Sequence, residues 1–226
     1  MKTLVVGDIH GCVEVVEKAL STKYPVIFTG DYLDSFNRSV KDQITSLQLV
    51  LDAIDATKND FESNKIYGLL GNHEMSYLSR SCRCSGYNSV TAAHVMSMDL
   101  KPLLDYIYCE GFLISHAGVS QSLLDYNKIT LDQYLESKNF DTVGWIRGGY
   151  DHVGGLRWCD WFYEFEPIKS QPQIVGHSHI EYYDYNLANI IQQKGNSYCI
   201  DTRYDINKEV LLIENGIAEI VKLNEL

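Results

Sequence analysis

The chain has 226 residues, of which 45% are apolar, 22% charged and 12% aromatic, proportions that exclude a disordered or fibrous architecture and suffice for a sizeable core. Its 30 Asp and Glu against 19 Lys and Arg give a formal charge of −11, which argues against gripping extended nucleic acid and leaves carboxylates for hard cations. No apolar run is long enough to span a bilayer or to serve as a signal-peptide core, and six scattered cysteines suit a reducing compartment, so the expected setting is the cytoplasm.

Thr3–Asp8 is a β-branched run ending in Gly-Asp and reads as a buried strand. Val13, Val16 and Leu20 then recur at helical spacing. Pro25–Asp31 is a second apolar run ending in Gly-Asp, followed by a long helix whose stripe is Val40, Ile44, Leu47, Leu51 and Ile54. Ser39 and Asp42 have the spacing of a capping box at its start. Lys65–His73 reads as a third strand, ending in Gly-Asn-His-Glu. Alternating strands and helices predict parallel pairing, with the chemistry at the carboxyl ends of the strands. Beyond this point the pattern changes. Residues 79–89 form a polar loop with Arg80, Cys82, Arg83 and Cys84. Tyr106–Cys109 and Gly111–Ser115 read as paired strands, Ile129–Phe140 as helical, and Trp145–Glu166 as irregular. Gln173–Gly176 and Ser197–Asp201 are further strands, and Glu209–Ile213 with Ile217–Leu223 make a hairpin around Glu-Asn-Gly. No repeat or linker divides the chain, so one domain over residues 1–226 is expected.

Five clusters terminate predicted strands: Gly7-Asp8-Ile9-His10-Gly11, Gly30-Asp31-Tyr32-Leu33-Asp34, Gly71-Asn72-His73-Glu74, Ser115-His116-Ala117-Gly118 and Gly176-His177-Ser178-His179. In each, Gly accompanies Asp, Asn or His. Glycine lets the chain turn off the strand, so the polar side chain projects beyond the sheet edge and meets its counterparts there. Carboxylates mixed with imidazoles, without thiolates, suit manganese, iron or zinc. One ion cannot use so many donors. Two ions about 3.5–4 Å apart can share a carboxylate, activate a water and clamp a phosphate, so the donor set points to metal-assisted phosphoester hydrolysis.

The ordered set Asp8-Ile-His10, Gly-Asp31, Gly-Asn72-His73-Glu74, His116 and Gly-His177-Ser-His179 resembles the calcineurin-like metallophosphoesterases, and most closely their phosphoprotein-phosphatase branch. Within it, the short chain is similar to small bacterial and bacteriophage-type Ser/Thr phosphatases and their diadenosine-tetraphosphatase relatives (for a phage-borne chain, the cytoplasm would be a host's). Ile200-Asp201-Thr202 resembles a further element of that branch. The resemblance implies an α/β (α+β) fold, a sandwich of two mixed β-sheets flanked by helices. It also implies two divalent ions, manganese first, with iron, zinc or nickel as alternatives. Asp8 and His10 would hold one ion, Asp31 would bridge, and Asn72, His116 and His177 would hold the other. His73 would protonate the leaving group, oriented by Asp34, while hydroxide held between the ions attacks phosphorus directly.

Two departures from the branch bear on substrate. The arginine that usually follows the residue matched by Asp34 is Ser35 here; Arg157, in Gly-Gly-Leu-Arg-Trp, is the first candidate to grip phosphate in its place, with Arg38, Arg80 and Arg147 as others. His179 is a second histidine that the branch usually lacks and the wider superfamily places on the first metal. The expected substrate is a phosphorylated protein, at phosphoserine or phosphothreonine, or a small phosphoester. A dinucleoside polyphosphate hydrolase, a nucleotide or RNA-end phosphatase, and a metal-free protein-binding scaffold are the alternatives.

Overall fold

Alternation along β1 (Thr3–Val6) divides its side chains between two cores. Leu4 and Val6, with Val26 and Phe28 of β2 (Val26–Phe28), pack toward α1 (Val13–Leu20) and α2 (Val40–Lys58), whereas Val5 and Ile27 face the other way. Both faces of these strands are therefore apolar, which is why they read as continuous hydrophobic runs. The computed structural model describes residues 1–58, 65–79, 84–179, 190–202 and 204–226.

The first sheet continues with β3 (Ile66–Gly68), and a hairpin of β9 (Glu209–Glu214) and β10 (Ile217–Lys222) adds to its other side, in the order β10-β9-β1-β2-β3. β1, β2 and β3 are parallel and the hairpin is antiparallel. The second sheet has the order β4-β5-β6-β8-β7, from β4 (Tyr106–Cys109), β5 (Phe112–Ser115), β6 (Gln173–Val175), β7 (Gln192–Lys194) and β8 (Ser197–Cys199). Its three central strands are parallel, with antiparallel edges. Val5, Ile27, Leu211 and Ile213 of one sheet meet Phe112, Ile114 and Ile174 of the other in the layer between them. The outer face of the second sheet lies under α5 (Gln121–Asn127) and α6 (Leu131–Ser137), joined by Trp161 and Phe165. Two mixed sheets flanked by helices are thus the observed architecture.

The capping box on α2 is formed reciprocally: Asp42 N–H donates to Ser39 Oγ at 3.1 Å, and Ser39 N–H donates to Asp42 Oδ2 at 3.3 Å. One boundary differs from the sequence reading. The third strand stops at Gly68, and Asn72, His73 and Glu74 form the first turn of α3 (Asn72–Leu78). Glu74 is the cause, because its carboxylate reaches back to Gly71 N–H at 3.1 Å and starts the helix there. A helix not foreseen from the sequence, α4 (Ser89–Val95), begins where the polar loop ends and is opened by the Asn88 side chain on Val90 N–H. Arg80, Cys82 and Arg83 lie outside the described residues. Among the described residues, no helix is long and apolar enough to cross a membrane.

Candidate metal centre

The parallel strands of both sheets deliver their carboxyl ends to one edge of the sandwich. Asp8 and His10 follow β1, Asp31 and Asp34 follow β2, and Asn72 and His73 open the helix after β3. His116 follows β5, His177 and His179 follow β6, and Asp201 follows β8. His10, Asp31, Asp34 and His177 all have positive φ, at 44°, 52°, 61° and 68°. Left-handed backbone at four non-glycine residues is local strain gathered at one place, as functional sites gather it.

The glycines beside these residues work in two ways. Gly30, with φ at 110°, turns the chain off β2. Gly71 and Gly176 instead make room: a Cβ there would lie 2.0 Å from Asp31 Oδ1 and from Asp8 Oδ1, respectively. The turn after β1 is stitched to the one after β2, since the Asp31 carbonyl accepts N–H bonds from Ile9 and His10 at 3.0 and 2.8 Å.

Two groups of donors converge, His10 with Asp31 and His73, and Asp31 with His116 and His177, each within 4.8 Å, and Asp31 belongs to both. Asp31 Oδ2 lies 3.3 Å from His116 Nε2, 3.8 Å from His73 Nε2 and 3.9 Å from His10 Nε2. The ring orientations are those of ligands. His10 Nδ1 sits on the Leu33 carbonyl at 2.7 Å and His116 Nδ1 on the Thr29 carbonyl at 3.0 Å, so each Nε2 is aimed at Asp31. Asn72 Nδ2 donates to Cys84 Sγ at 3.1 Å, turning Oδ1 toward His116 Nε2 at 2.8 Å and His177 Nδ1 at 2.9 Å. Those two ring nitrogens are 3.1 Å apart. A carboxylate, an amide oxygen and two imidazole nitrogens that face one another demand positive charge between them, from a proton or a metal ion. The donor set therefore fits divalent cations.

The charges agree. Burial opposes ionisation of Asp31, but His116 and His73 hold it well below the usual carboxylate range. Burial likewise disfavours charge on His116 and His73, yet Asp31 outweighs it and raises each to about 9. Asp8 is fully buried, its carboxylate on the His177 N–H at 3.1 and 3.0 Å. Burial, then Asp201, push it well above its ordinary value, a balance that a bound cation reverses. Behind Asp8 lies Lys208, also fully buried, whose Nζ donates to the Asp8 carbonyl oxygen at 2.8 Å and sits 5.9 Å from the Tyr204 ring centre. His179 stacks on Tyr204 at 4.9 Å between ring centres, with Nδ1 3.5 Å from Asp201 Oδ1.

His73 is held by Asp34, whose Oδ2 lies 2.9 Å from Nδ1. Glu74 does something its sequence position does not reveal. Its Oε2 accepts N–H bonds from Asp31 at 2.9 Å and Gly71 at 3.1 Å, and its Oε1 from Tyr32 at 2.9 Å and Leu33 at 3.2 Å. One buried carboxylate thereby moulds the loop that presents Asp31 and Asp34. Burial, then the Asp31 charge, push it up to about 7.

His10, Asp31, Asp34, Asn72, His73 and His177 floor a cleft of about 1170 Å³. Of the candidate arginines, Arg147 lines it, with Nε 3.0 Å from Asp160 Oδ2 and a terminal nitrogen on Ser178 Oγ at 3.0 Å. Arg157 does not line it. Its guanidinium is buried between Asp105 and Asp141, so the residue favoured from sequence ties chain segments together instead. Arg38 also lies off the cleft, paired with Glu14 at 2.6 Å, and Arg80 is outside the described residues. The Phe36 and Tyr150 side chains line the cleft and are 74% and 95% exposed.

Comparison with known proteins agrees with this geometry. A bis(5′-nucleosyl)-tetraphosphatase (asymmetrical) of Oceanobacillus iheyensis is 23% identical, the match covering 79% of this chain and 82% of that protein. The cold-active protein-tyrosine phosphatase of a psychrophilic Shewanella species has a similar fold, with a TM-score of 0.61 at 16% identity over 98% of this chain and 80% of that one. A second cold-active protein tyrosine phosphatase structure gives 0.59 at 18% identity, over 97% and 78%. The sequence profile of the calcineurin-like phosphoesterases matches residues 1–196. With that match added to a dinuclear donor set on paired mixed sheets, the chain belongs to the calcineurin-like phosphoesterase family and is a metal-dependent phosphoester hydrolase.

Proposed function

We propose that this hydrolase removes phosphate from phosphoserine or phosphothreonine in proteins, in the cytoplasm, with two manganese ions as its cofactor. The observation that carries the reading is the His73–Asp34 pair. A nucleoside phosphate departs readily without protonation, whereas a serine or threonine alkoxide does not. An imidazole braced by a carboxylate beside the shared donor Asp31 suits the poorer leaving group. The open cleft, with Phe36 and Tyr150 exposed on its lining, suits a phosphate carried on an extended chain.

Asp8, His10 and His179 would hold one ion, Asn72, His116 and His177 the other, with Asp31 common to both. Bound there, the ions supply Lewis-acid activation of water and neutralise phosphoryl charge. Arg147, steadied by Asp160 and Ser178, binds the phosphate oxygens and sets the ester in line. His73 gives the departing oxygen a proton from Nε2, and Asp34 on Nδ1 stabilises the imidazolium before transfer.

His73→Asn should lower kcat on a phosphoserine peptide by about 10²–10⁴-fold and on an aryl phosphate far less, with metal content unchanged. Equal losses on both substrates would remove the proton-donor role. Arg147→Ala should cut kcat/KM by about 10–100-fold without loss of metal, through the charge-assisted bonds it removes. Arg157→Ala, by contrast, should lower stability by about 1–3 kcal/mol and leave KM alone. If Arg157→Ala raised KM and Arg147→Ala did not, the two roles would have to be exchanged.

The second reading, hydrolysis of dinucleoside polyphosphates, is favoured by the similarity to the tetraphosphatase. Steady-state kinetics with manganese on a phosphopeptide, diadenosine tetraphosphate and a 5′-phosphorylated oligonucleotide separate them. The phosphopeptide should give the highest kcat/KM, and a tetraphosphate preference would install the second reading.

A further inference from the structure

Asp34 has two carboxylate oxygens and both are committed. Oδ2 meets His73 Nδ1 at 2.9 Å, and Oδ1 accepts the hydroxyl of Tyr77. His73 and Tyr77 stand one turn apart on α3, so a single face of that helix grips the carboxylate by both oxygens. Tyr77 is itself fixed. Its oxygen accepts the Asn88 N–H at 3.2 Å, and its ring stacks on Tyr87 with centres 4.9 Å apart and planes 19° apart. Asp34 is held from the remaining side by its backbone, whose N–H donates to Gln43 Oε1 at 2.9 Å while φ sits at 61°. Gly86 packs close enough that a Cβ there would come within 3.1 Å of Asp34 Cβ.

We infer that Tyr77 is a positioning residue for the reaction, the third member of a Tyr77–Asp34–His73 chain that fixes the plane of the Asp34 carboxylate and, through it, the aim of the His73 ring. The Asp34 side chain has no exposure to solvent. Without the Tyr77 hydroxyl, Oδ1 is a buried acceptor lacking that donor, and the carboxylate gains by rotating to find another. Rotation withdraws Oδ2 from Nδ1, and the imidazole then swings about its own torsions. The site would keep its metal donors and lose the aim of its proton donor.

This rests on His73 as proton donor, and the experiment separates the two claims. Tyr77→Phe keeps the ring that stacks on Tyr87 and removes only the hydroxyl. The expected result is a kcat on a phosphoserine peptide roughly tenfold lower, with KM within about twofold, the loss on an aryl phosphate much smaller, metal content unchanged and a melting temperature only a few degrees lower. In a His73→Asn background the same substitution should cost nothing further, because the residue it positions is gone. If His73→Asn is selective for the poor leaving group but Tyr77→Phe is not, or the two losses multiply, Tyr77 is structural and the inference is wrong. If His73→Asn itself shows no selectivity, the proton-donor reading falls and takes the Tyr77 role with it.

Discussion

Asp31→Asn should yield a folded protein that holds less metal and has lost at least about 10³-fold in kcat, since under the proposed function several kcal/mol of transition-state stabilisation depend on ions that this residue would share. The substitution keeps the volume and one acceptor oxygen, so His73 N–H, 3.1 Å from Oδ1, retains its partner. What changes is the atom facing His116, His73 and His10. An amide NH2 in place of Oδ2 removes a negative charge from among three rings and offers a donor to His116 Nε2, now 3.3 Å from Oδ2. The metal-free variant should also melt lower than the metal-free parent, because the buried His116 and His73 rings lose the carboxylate that holds their protons. Elemental analysis, kinetics and melting curves together test this. Wild-type metal stoichiometry with wild-type turnover would refute the role of Asp31 as the shared donor.

Glu74→Ala is expected to destabilise the fold by about 3–5 kcal/mol, among the largest effects available to one substitution away from the hydrophobic layers. Four backbone N–H groups, from Asp31, Tyr32, Leu33 and Gly71, end on its two oxygens. Removing the carboxylate strands them in a place water reaches poorly. Glu74→Gln should fare little better. Each oxygen accepts two N–H groups, so either orientation of the amide points its NH2 at a pair of donors. Chemical denaturation of the metal-free proteins measures both. A Gln variant within about 0.5 kcal/mol of the parent would mean that the loop finds other partners.

The strands were legible because β1 and β2 are buried on both faces, and the donors because they fall in short clusters after strands, each cluster holding a glycine. The donors' order along the chain also carried the family resemblance. What escaped the sequence depended on partners distant along the chain. Arg157 looked like a phosphate clamp in Gly-Gly-Leu-Arg-Trp, but Asp105 and Asp141 claim it, and nothing local announces either pairing. Arg147 gains its place through Asp160 and Ser178 in the same way. Asn72 was read as a strand end because the apolar run carries on past Gly68; the helix begins where it does because Glu74 folds back on Gly71. α4 and α5 span seven residues each, too few for the helical period to stand out, and β7 is all polar. Tyr77 carries no signal beyond its four-residue spacing from His73.

Lys208 gives the far end of the chain a weight that its distance from the motifs hides. It lies beyond residue 196, where the family match stops, as do both strands of the closing hairpin. A fragment trimmed to that boundary would strip β1 of its antiparallel neighbour, turning an interior strand into an open edge ready to recruit other chains. It would also delete the ammonium seated beneath the Asp8 carbonyl. Expression boundaries for this protein belong after the hairpin, since the homologous segment by itself is a sticky torso with its ion cradle left unbacked.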